Sequence, residues 1–355
     1  MEDVMTAGRV QSSDLDSYVA ECDRLGGPQH PNCAAFLSDF NLVLETNVDQ
    51  TLDPFSHQYF KQQLAVYREM SGRDLDQEVG EQAAVDVETN SMSANPVNSC
   101  DIKNISLHTK TIATLLSLAN IPPHAKILDL GAGWGLSSEI MAFCGARVTA
   151  VDINPLFVDL ITRRAVRKNL PISARLSNFD DFLDEGRYDL AVFYECLHHA
   201  VKPWETLQHI ALHLNPNGKF AIAGEPIVDY WQHWGIRTDC LSAYCVRKFG
   251  WFESGWSRDF ITRAFERAGF ELQLTPHRGA GSGYIGIAHR IGAEDRVELE
   301  AQNIESLIAQ NQQLAAQLEY LTVHNRHMQA RLETKVGNAL RNTLRPAKRL
   351  YEKMA

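Results

Sequence analysis

Two groups of residues in this chain have the types and spacing of a reaction site. The first is Gly131-Ala132-Gly133-Trp134-Gly135, with glycines at alternate positions directly after the apolar run Ile127-Leu128-Asp129-Leu130. Glycine lacks a Cβ and tolerates positive φ, so such a turn can be tight and can bring its backbone close to a bound ligand. The dinucleotide fingerprint needs its third glycine one place later, and the spacing therefore argues against a nicotinamide cofactor. Asp152 closes the next apolar run, Val148-Thr149-Ala150-Val151, and a carboxylate there can accept from both hydroxyls of a ribose. The second group is Glu195, His198 and His199, just past the run Tyr188–Tyr194. Imidazole exchanges a proton near neutral pH, and a nearby carboxylate can orient or charge it, so this group suits a general base.

Both groups need an open α/β sheet to hold them. His108 to Ala119 reads as an apolar-periodic helix feeding the first strand, with Ser137 to Cys144 and Leu156 to Lys168 as crossover helices. Ile172 to Leu176 is the third strand. Tyr188 to Tyr194 is the fourth, an unbroken apolar run of the kind buried on both faces of a parallel sheet. Ligands of such sheets lie beyond the carboxyl ends of the strands, so the glycine turn, Asp152 and the Glu195–His199 tip should line one crevice. Trp204 to His213 follows as a helix and Phe220 to Ala223 as a strand. Ser257 to Gly269 is the last helix, and Glu271 to Thr275 with Tyr284 to His289 form a closing hairpin.

Ile127 to Gly135 followed by Val148 to Pro155 resembles the first two motifs of class I S-adenosylmethionine-dependent methyltransferases, and Leu214-Asn215-Pro216-Asn217-Gly218-Lys219 resembles the turn before that family's fifth strand. The resemblance covers roughly residues 108 to 290. It implies a Rossmann-like, doubly wound α/β sheet of seven strands, the last antiparallel, with S-adenosyl-L-methionine as cofactor. It places Gly131, Ala132, Gly133, Trp134 and Gly135 against the methionine part with Asp129 nearby, and Asp152 with its neighbour Ile153 at the ribose. Asn178 and Phe179 fall at the adenine, and Tyr194 at the tip of the fourth strand. Asn178 stands where the family often has Asp, a departure at the base contact, while the Phe179 ring can lie on the purine face. Acceptor-facing residues of the family often follow the fourth strand, which makes His198 or His199 the base and Glu195 its partner. The competing reading is that the paired histidines only shape the pocket.

Length and charge bound the rest. The 355 residues suffice for one full-sized domain with substantial additions. The net charge is −10, yet residues 331–355 alone carry +5, which leaves −15 on the remainder. A body this acidic is a poor partner for nucleic acid, whose binding runs on phosphate neutralisation. The seven cysteines are scattered without a C-x-x-C pair, as expected for reduced thiols in a cytosolic compartment. Cys22, His30 and Cys33 are three donors at an unfamiliar spacing, and no metal site is expected. No signal peptide or membrane span is evident, so a cytoplasmic protein is expected.

Residues 1–107 are expected to be a helical cap segment, with a helix over Phe60–Met70 stopped near Gly72. The stretch Asp53 to Arg73 resembles the front segment of some bacterial methyltransferases, which covers the pocket; plain packing is the alternative. Within the cofactor domain, 108–293, an insertion at 225–259 holds Tyr230, Trp231, Trp234, Tyr244, Trp251, Phe252 and Trp256 among charged residues. Such rings suit the C–H faces of a sugar, or else a second small core. Over 294–335, Val297, Ile304, Asn311, Leu318, Asn325 and Leu332 alternate with Leu307, Leu314, Leu321 and Met328 in heptads, the pattern of an oligomerising coiled coil spanning 297–332. Residues 336–355 read as a basic amphipathic tail suited to peripheral contact with an anionic membrane at its inner face. The tail resembles those of bacterial enzymes of surface-polysaccharide synthesis. The function expected from these parts is O-methylation of a sugar or glycan, with methylation of a soluble secondary metabolite, or a non-catalytic cofactor-binding scaffold, as alternatives.

Overall fold

The protein, seen here as a computed structural model, is described over residues 8–80, 82–279 and 283–292 and at scattered helical positions between 312 and 328. Its N-terminal part runs through β1 (Arg9–Gln11), α1 (Leu15–Arg24), β2 (Asn41–Val43), α2 (His57–Ser71), α3 (Gln77–Gly80) and α4 (Val87–Met92). Then come α5 (Ile102–Ala119), β3 (Lys126–Leu130), α6 (Leu136–Phe143), β4 (Arg147–Asp152), α7 (Pro155–Lys168), β5 (Ile172–Leu176), β6 (Tyr188–Tyr194), α8 (Pro203–Ala211) and β7 (Leu214–Ala223). An insertion contributes β8 (Trp234–Ile236), α9 (Cys240–Phe249) and β9 (Ser254–Trp256), and α10 (Arg258–Arg267), β10 (Phe270–Pro276) and β11 (Tyr284–Arg290) close the fold.

Seven strands form one sheet in the order β10-β11-β7-β6-β3-β4-β5. All neighbours from β7 to β5 pair in parallel, and β11 runs antiparallel to both β7 and β10. This is the doubly wound architecture expected from the sequence. Alternation along β6 shows how the sheet is covered on both faces. Ala191 and Phe193 face the core shared with α8 and α10, whereas Leu190 and Val192 face the one formed with Ile112 and Leu115 of α5 and Met141 of α6. Both sets are fully or nearly fully buried, as a parallel sheet between two helical layers requires.

Local chemistry sets the helix ends that matter for the site. The Ser56 hydroxyl accepts from the Tyr59 amide at the start of α2, and Gly72 ends the helix in the left-handed region at φ 70. Helix α5 starts six residues before the expected His108, because the Asp101 carboxylate accepts from the Asn104 amide and caps it there. The short helix α4, Val87–Met92, is capped by the Asp86 carboxylate, which accepts from the Thr89 amide.

The N-terminal part is helical as expected but also carries the short parallel pair β1–β2. It folds together with the insertion rather than as a separate lid. Tyr59 donates to the Trp234 carbonyl at 2.6 Å, the Trp234 indole donates to the Pro54 carbonyl at 2.8 Å, and Tyr67 donates to the Gly250 carbonyl at 2.7 Å. Trp234, Phe252 and Trp256 are at most 2% exposed. Most of the insertion's rings therefore build a core with α2. Cys22 and Cys33 are buried in the same lobe as free thiols.

Residues 292–355 form a second compact unit. The described positions between 312 and 328 are helical, and Thr322 donates to the Leu318 carbonyl. Of the heptad positions, Val297, Ile304, Leu307, Asn311, Leu314, Asn325 and Leu332 lie outside the described residues, as does the basic tail 336–355. Among the described residues no helix is long and apolar enough to cross a membrane.

Candidate active site

The glycine turn joins β3 to α6 at the carboxyl edge of the sheet. Gly131 has φ 61, and a Cβ there would meet the Cys196 Cβ at 2.6 Å and the Phe179 ring edge at 3.2 Å, so the position admits only glycine. The Gly133 amide donates to Asp152 Oδ2 at 2.7 Å, and the Asn154 amide donates to Oδ1 at 2.8 Å. These bonds clamp the Asp152 carboxylate against the turn. Asp129 lies beneath it, fully buried, with Oδ2 accepting from the Ser137 and Ser138 hydroxyls at 2.7 and 2.5 Å. Its Oδ1 is a buried oxygen with no hydrogen-bond partner. Burial pushes the Asp129 carboxyl up to about 6, against the opposing pull of the two serines, and the charge of Asp152 adds to the rise.

A cavity of about 790 Å³ opens along this edge. Gly131, Gly133, Trp134, Asp152, Ile153, Asn178 and Phe179 of the expected cofactor set line it, as do Glu195 and His199. Ala132, Gly135, Asp129, Tyr194 and His198 stand behind that lining. Asn178 spends its amide locally, donating to Asp181 Oδ2 at 2.9 Å and accepting from the Asp181 amide at 2.6 Å. Leu75, Gln77, Glu78 and Ala83 close the mouth from the N-terminal part, and Trp251 is the insertion ring that reaches the cavity. The segment 53–73 packs, and the stretch just after it covers the pocket.

At the tip of β6, Glu195 adopts φ 55, an unusual value for a side-chain-bearing residue. Gly224 faces it, and a Cβ at that glycine would fall 2.2 Å from the Glu195 Cγ. Burial, with Glu225 nearby, pushes the Glu195 carboxyl up to about 7. His108 of α5 sits 2.5 Å from the Tyr194 hydroxyl through Nδ1 and 3.7 Å from Glu195 Oε2. Burial holds the His108 imidazole below its ordinary value and the Tyr194 phenol well above its own.

Glu225, 1% exposed, ties the turn after β6 to β7. It accepts from the amides of Cys196, Leu197 and His198 at 3.0, 3.0 and 3.1 Å and meets His198 Nδ1 at 2.9 Å. Of the two histidines, His199 reaches the cavity, while His198 is held between Glu225 and Glu253. Neither His108 nor Glu225 stands out in the sequence. The one signal for Glu225 is its place at the carboxyl end of a parallel strand.

Residues 106–275 match a family model described as a methyltransferase domain. The ubiquinone biosynthesis O-methyltransferase of Xanthomonas euvesicatoria is 32% identical over 114 residues, covering 32% of this chain and 46% of that protein. That of Xanthomonas campestris is 34% identical over 98 residues, covering 27% and 41%. The chain thus spans less than half the length of the curated relatives it matches. Among solved structures, a Burkholderia thailandensis 1,6-didemethyltoxoflavin-N1-methyltransferase with bound S-adenosylhomocysteine overlaps 53% of this chain and 80% of its own, at 23% identity and a TM-score of 0.41.

Proposed function

We propose that this chain is an S-adenosylmethionine-dependent methyltransferase that methylates a hydroxyl of a small ring-bearing acceptor. The single observation that carries the reading is the clamp between the Gly133 amide and Asp152 in the lining of a cavity about 790 Å³ in volume. Glycines of this geometry and a second-strand carboxylate suit the two ends of a sulfonium nucleoside, and the cavity has room for that cofactor and an acceptor together. The match over 106–275 and the O-methyltransferase relatives support the same class.

The cofactor supplies an activated methyl group, and the work of the chain is to position the acceptor oxygen and exclude water. Trp134, Phe157, Phe179, Leu75, Ala200 and Trp251 give the cavity its apolar lining. Glu195 is the proton acceptor that lines the cavity with its carboxyl raised into the neutral range. His199 flanks it, and His198 holds the turn through Glu225. A sugar or glycan acceptor is the second reading, supported by Trp251 beside the polar Gln29, Gln77 and Glu78. The rest of the aromatic insertion lends it little, since Trp234, Phe252 and Trp256 are core. Self-association through the heptads and contact of residues 336–355 with an anionic membrane are further parts of this proposal.

Calorimetry with S-adenosylhomocysteine tests the assignment: wild-type protein is expected to bind and Asp152→Ala to lose at least a hundredfold in affinity. Folded wild type giving no heat overturns it. S-adenosylhomocysteine release measured with phenolic and with sugar acceptors then separates the two acceptor readings.

A further inference from the structure

Behind His199, the cavity wall gathers a donor set that cofactor binding does not use. His198, His199 and Glu253 each offer one nitrogen or oxygen, all within 4.8 Å of one another. His198 Nε2 lies 3.8 Å from Glu253 Oε2, and the two imidazole rings are 4.2 Å apart between centroids. His198 and Glu253 are 8% and 6% exposed, so neither is a solvated surface group, while His199 and Trp251 line the cavity.

The surroundings prepare these atoms for a cation. Glu225 takes His198 Nδ1, which assigns the proton to that nitrogen and leaves the Nε2 lone pair toward Glu253. A carboxylate behind a histidine in this way is the usual support of a metal-ligating imidazole, fixing its tautomer and raising its basicity. The backbone is braced as well. The Ser254 hydroxyl donates to the His198 carbonyl at 2.7 Å, and the Arg237 amide donates to the Glu253 carbonyl at 2.9 Å. Arg237 reaches Glu253 at 3.3 Å and the half-exposed Asp239 at 2.9 Å, so one guanidinium is shared between two carboxylates while Glu225 is held by backbone amides and His198.

We propose that His198, His199 and Glu253 bind one divalent transition-metal ion, with Glu225 as the positioning residue behind His198. Two imidazoles and one carboxylate form a borderline donor set of the kind that holds zinc or a similar late first-row ion with a coordination position left open. Donor atoms about 2.1 Å from such an ion stand closer together than they do here, so binding draws the three side chains in by roughly an ångström. His199 lines the cavity, so an ion held there would be within reach of a bound acceptor. On the methyl-transfer reading above, on which this role rests, it would polarise an acceptor hydroxyl and make its proton easier to remove.

Cobalt(II) titration of chelator-treated, full-length protein, followed by visible absorption, tests the site. The expected result is ligand-field absorption saturating at one equivalent, lost in His199→Ala and in Glu253→Gln, and shifted to about 10- to 100-fold weaker binding in Glu225→Gln. Circular dichroism and heat of association with S-adenosylhomocysteine report that the variants remain folded. Absence of ligand-field bands in folded wild type overturns the proposal. Bands that survive in both His199→Ala and Glu253→Gln, or that carry sulfur charge-transfer absorption, place the ion away from this set and overturn it equally. Loss of cofactor binding with the cobalt site intact strikes the methyltransferase reading alone.

Discussion

Asp129 and Glu195 are both acids raised by burial. Asp129 is 0% exposed, and its carboxyl rises from the ordinary 3.8 to about 6. Its folded value exceeds its unfolded one, so the folded state holds the proton more tightly. The carboxyl then costs nothing below about pH 4, costs more as pH rises toward 6, and above that costs on the order of 3 kcal/mol. Asp129→Asn removes the charge while keeping an oxygen for Ser137 and Ser138. The variant's thermal stability relative to wild type is expected to climb between pH 4 and pH 7, while its affinity for S-adenosylmethionine falls because a negative charge beneath a cationic ligand is gone. A stability difference that stays flat over that range contradicts the buried titration. Glu195 is expected to show itself in rate. With its carboxyl near 7, kcat/KM should rise as pH passes through neutrality and level off above it. Glu195→Gln should lose that limb and about 10²- to 10⁴-fold in kcat. A variant that keeps the wild-type pH profile moves the base to another residue, and parallel His198→Ala and His199→Ala rates identify it.

At the scale of elements, the lobe formed by α2 and the insertion β8–α9–β9 controls whether the cavity has a mouth. Trp234 is its keystone, 2% exposed, in edge-on and tilted contact with Tyr59, Trp204 and Phe260 and bonded to the Pro54 carbonyl. Trp234→Ala is expected to cost about 3–5 kcal/mol in denaturant unfolding and to speed proteolysis within residues 40–85, with the sheet itself retained. Unchanged protease sensitivity there would show that α2 holds its place without the tryptophan. The pairing of this lobe was not legible in the sequence, because Tyr59 and Trp234 are 175 positions apart and periodicity reports only local spacing. Seven rings in one stretch look alike whether they face a ligand or a helix from the other end of the chain. What could be read was local: the apolar runs, the three glycines and Asp152, each of which fixes its own strand, turn or strand end. The same limit explains the histidines. His198 and His199 were visible as proton carriers, but the partners that hold His198, Glu225 and Glu253, come from beyond β7 and just before β9.

For the whole molecule, the open question is what covers the apolar positions of the second unit, residues 292–355. Leu318, Leu321 and Met328 are helical and 70%, 58% and 49% exposed in the single chain. They occupy the two seam positions of the heptad pattern that runs from Val297 to Leu332. Side chains of this size at 3.5-residue spacing are the knobs of a coiled coil, and each buried leucine contributes about 1.5–3 kcal/mol. A second copy of the same helix offers the same stripe, so the expected occupant is another protomer. Light scattering of the full chain should then give an oligomer that dissociates on dilution, and Leu318→Glu with Leu321→Glu should give a monomer, because two charges in the seam cannot be solvated there. Methyl transfer to a soluble acceptor should survive that substitution, since the site lies wholly within the first unit. If the tail beyond 336 adds membrane affinity by clustering, vesicles containing anionic lipid should retain the oligomer and release the monomeric variant, and raising the salt concentration should release both. A monomer for the unaltered chain at micromolar concentration would remove the coiled coil and, with it, the avidity on which the membrane contact depends.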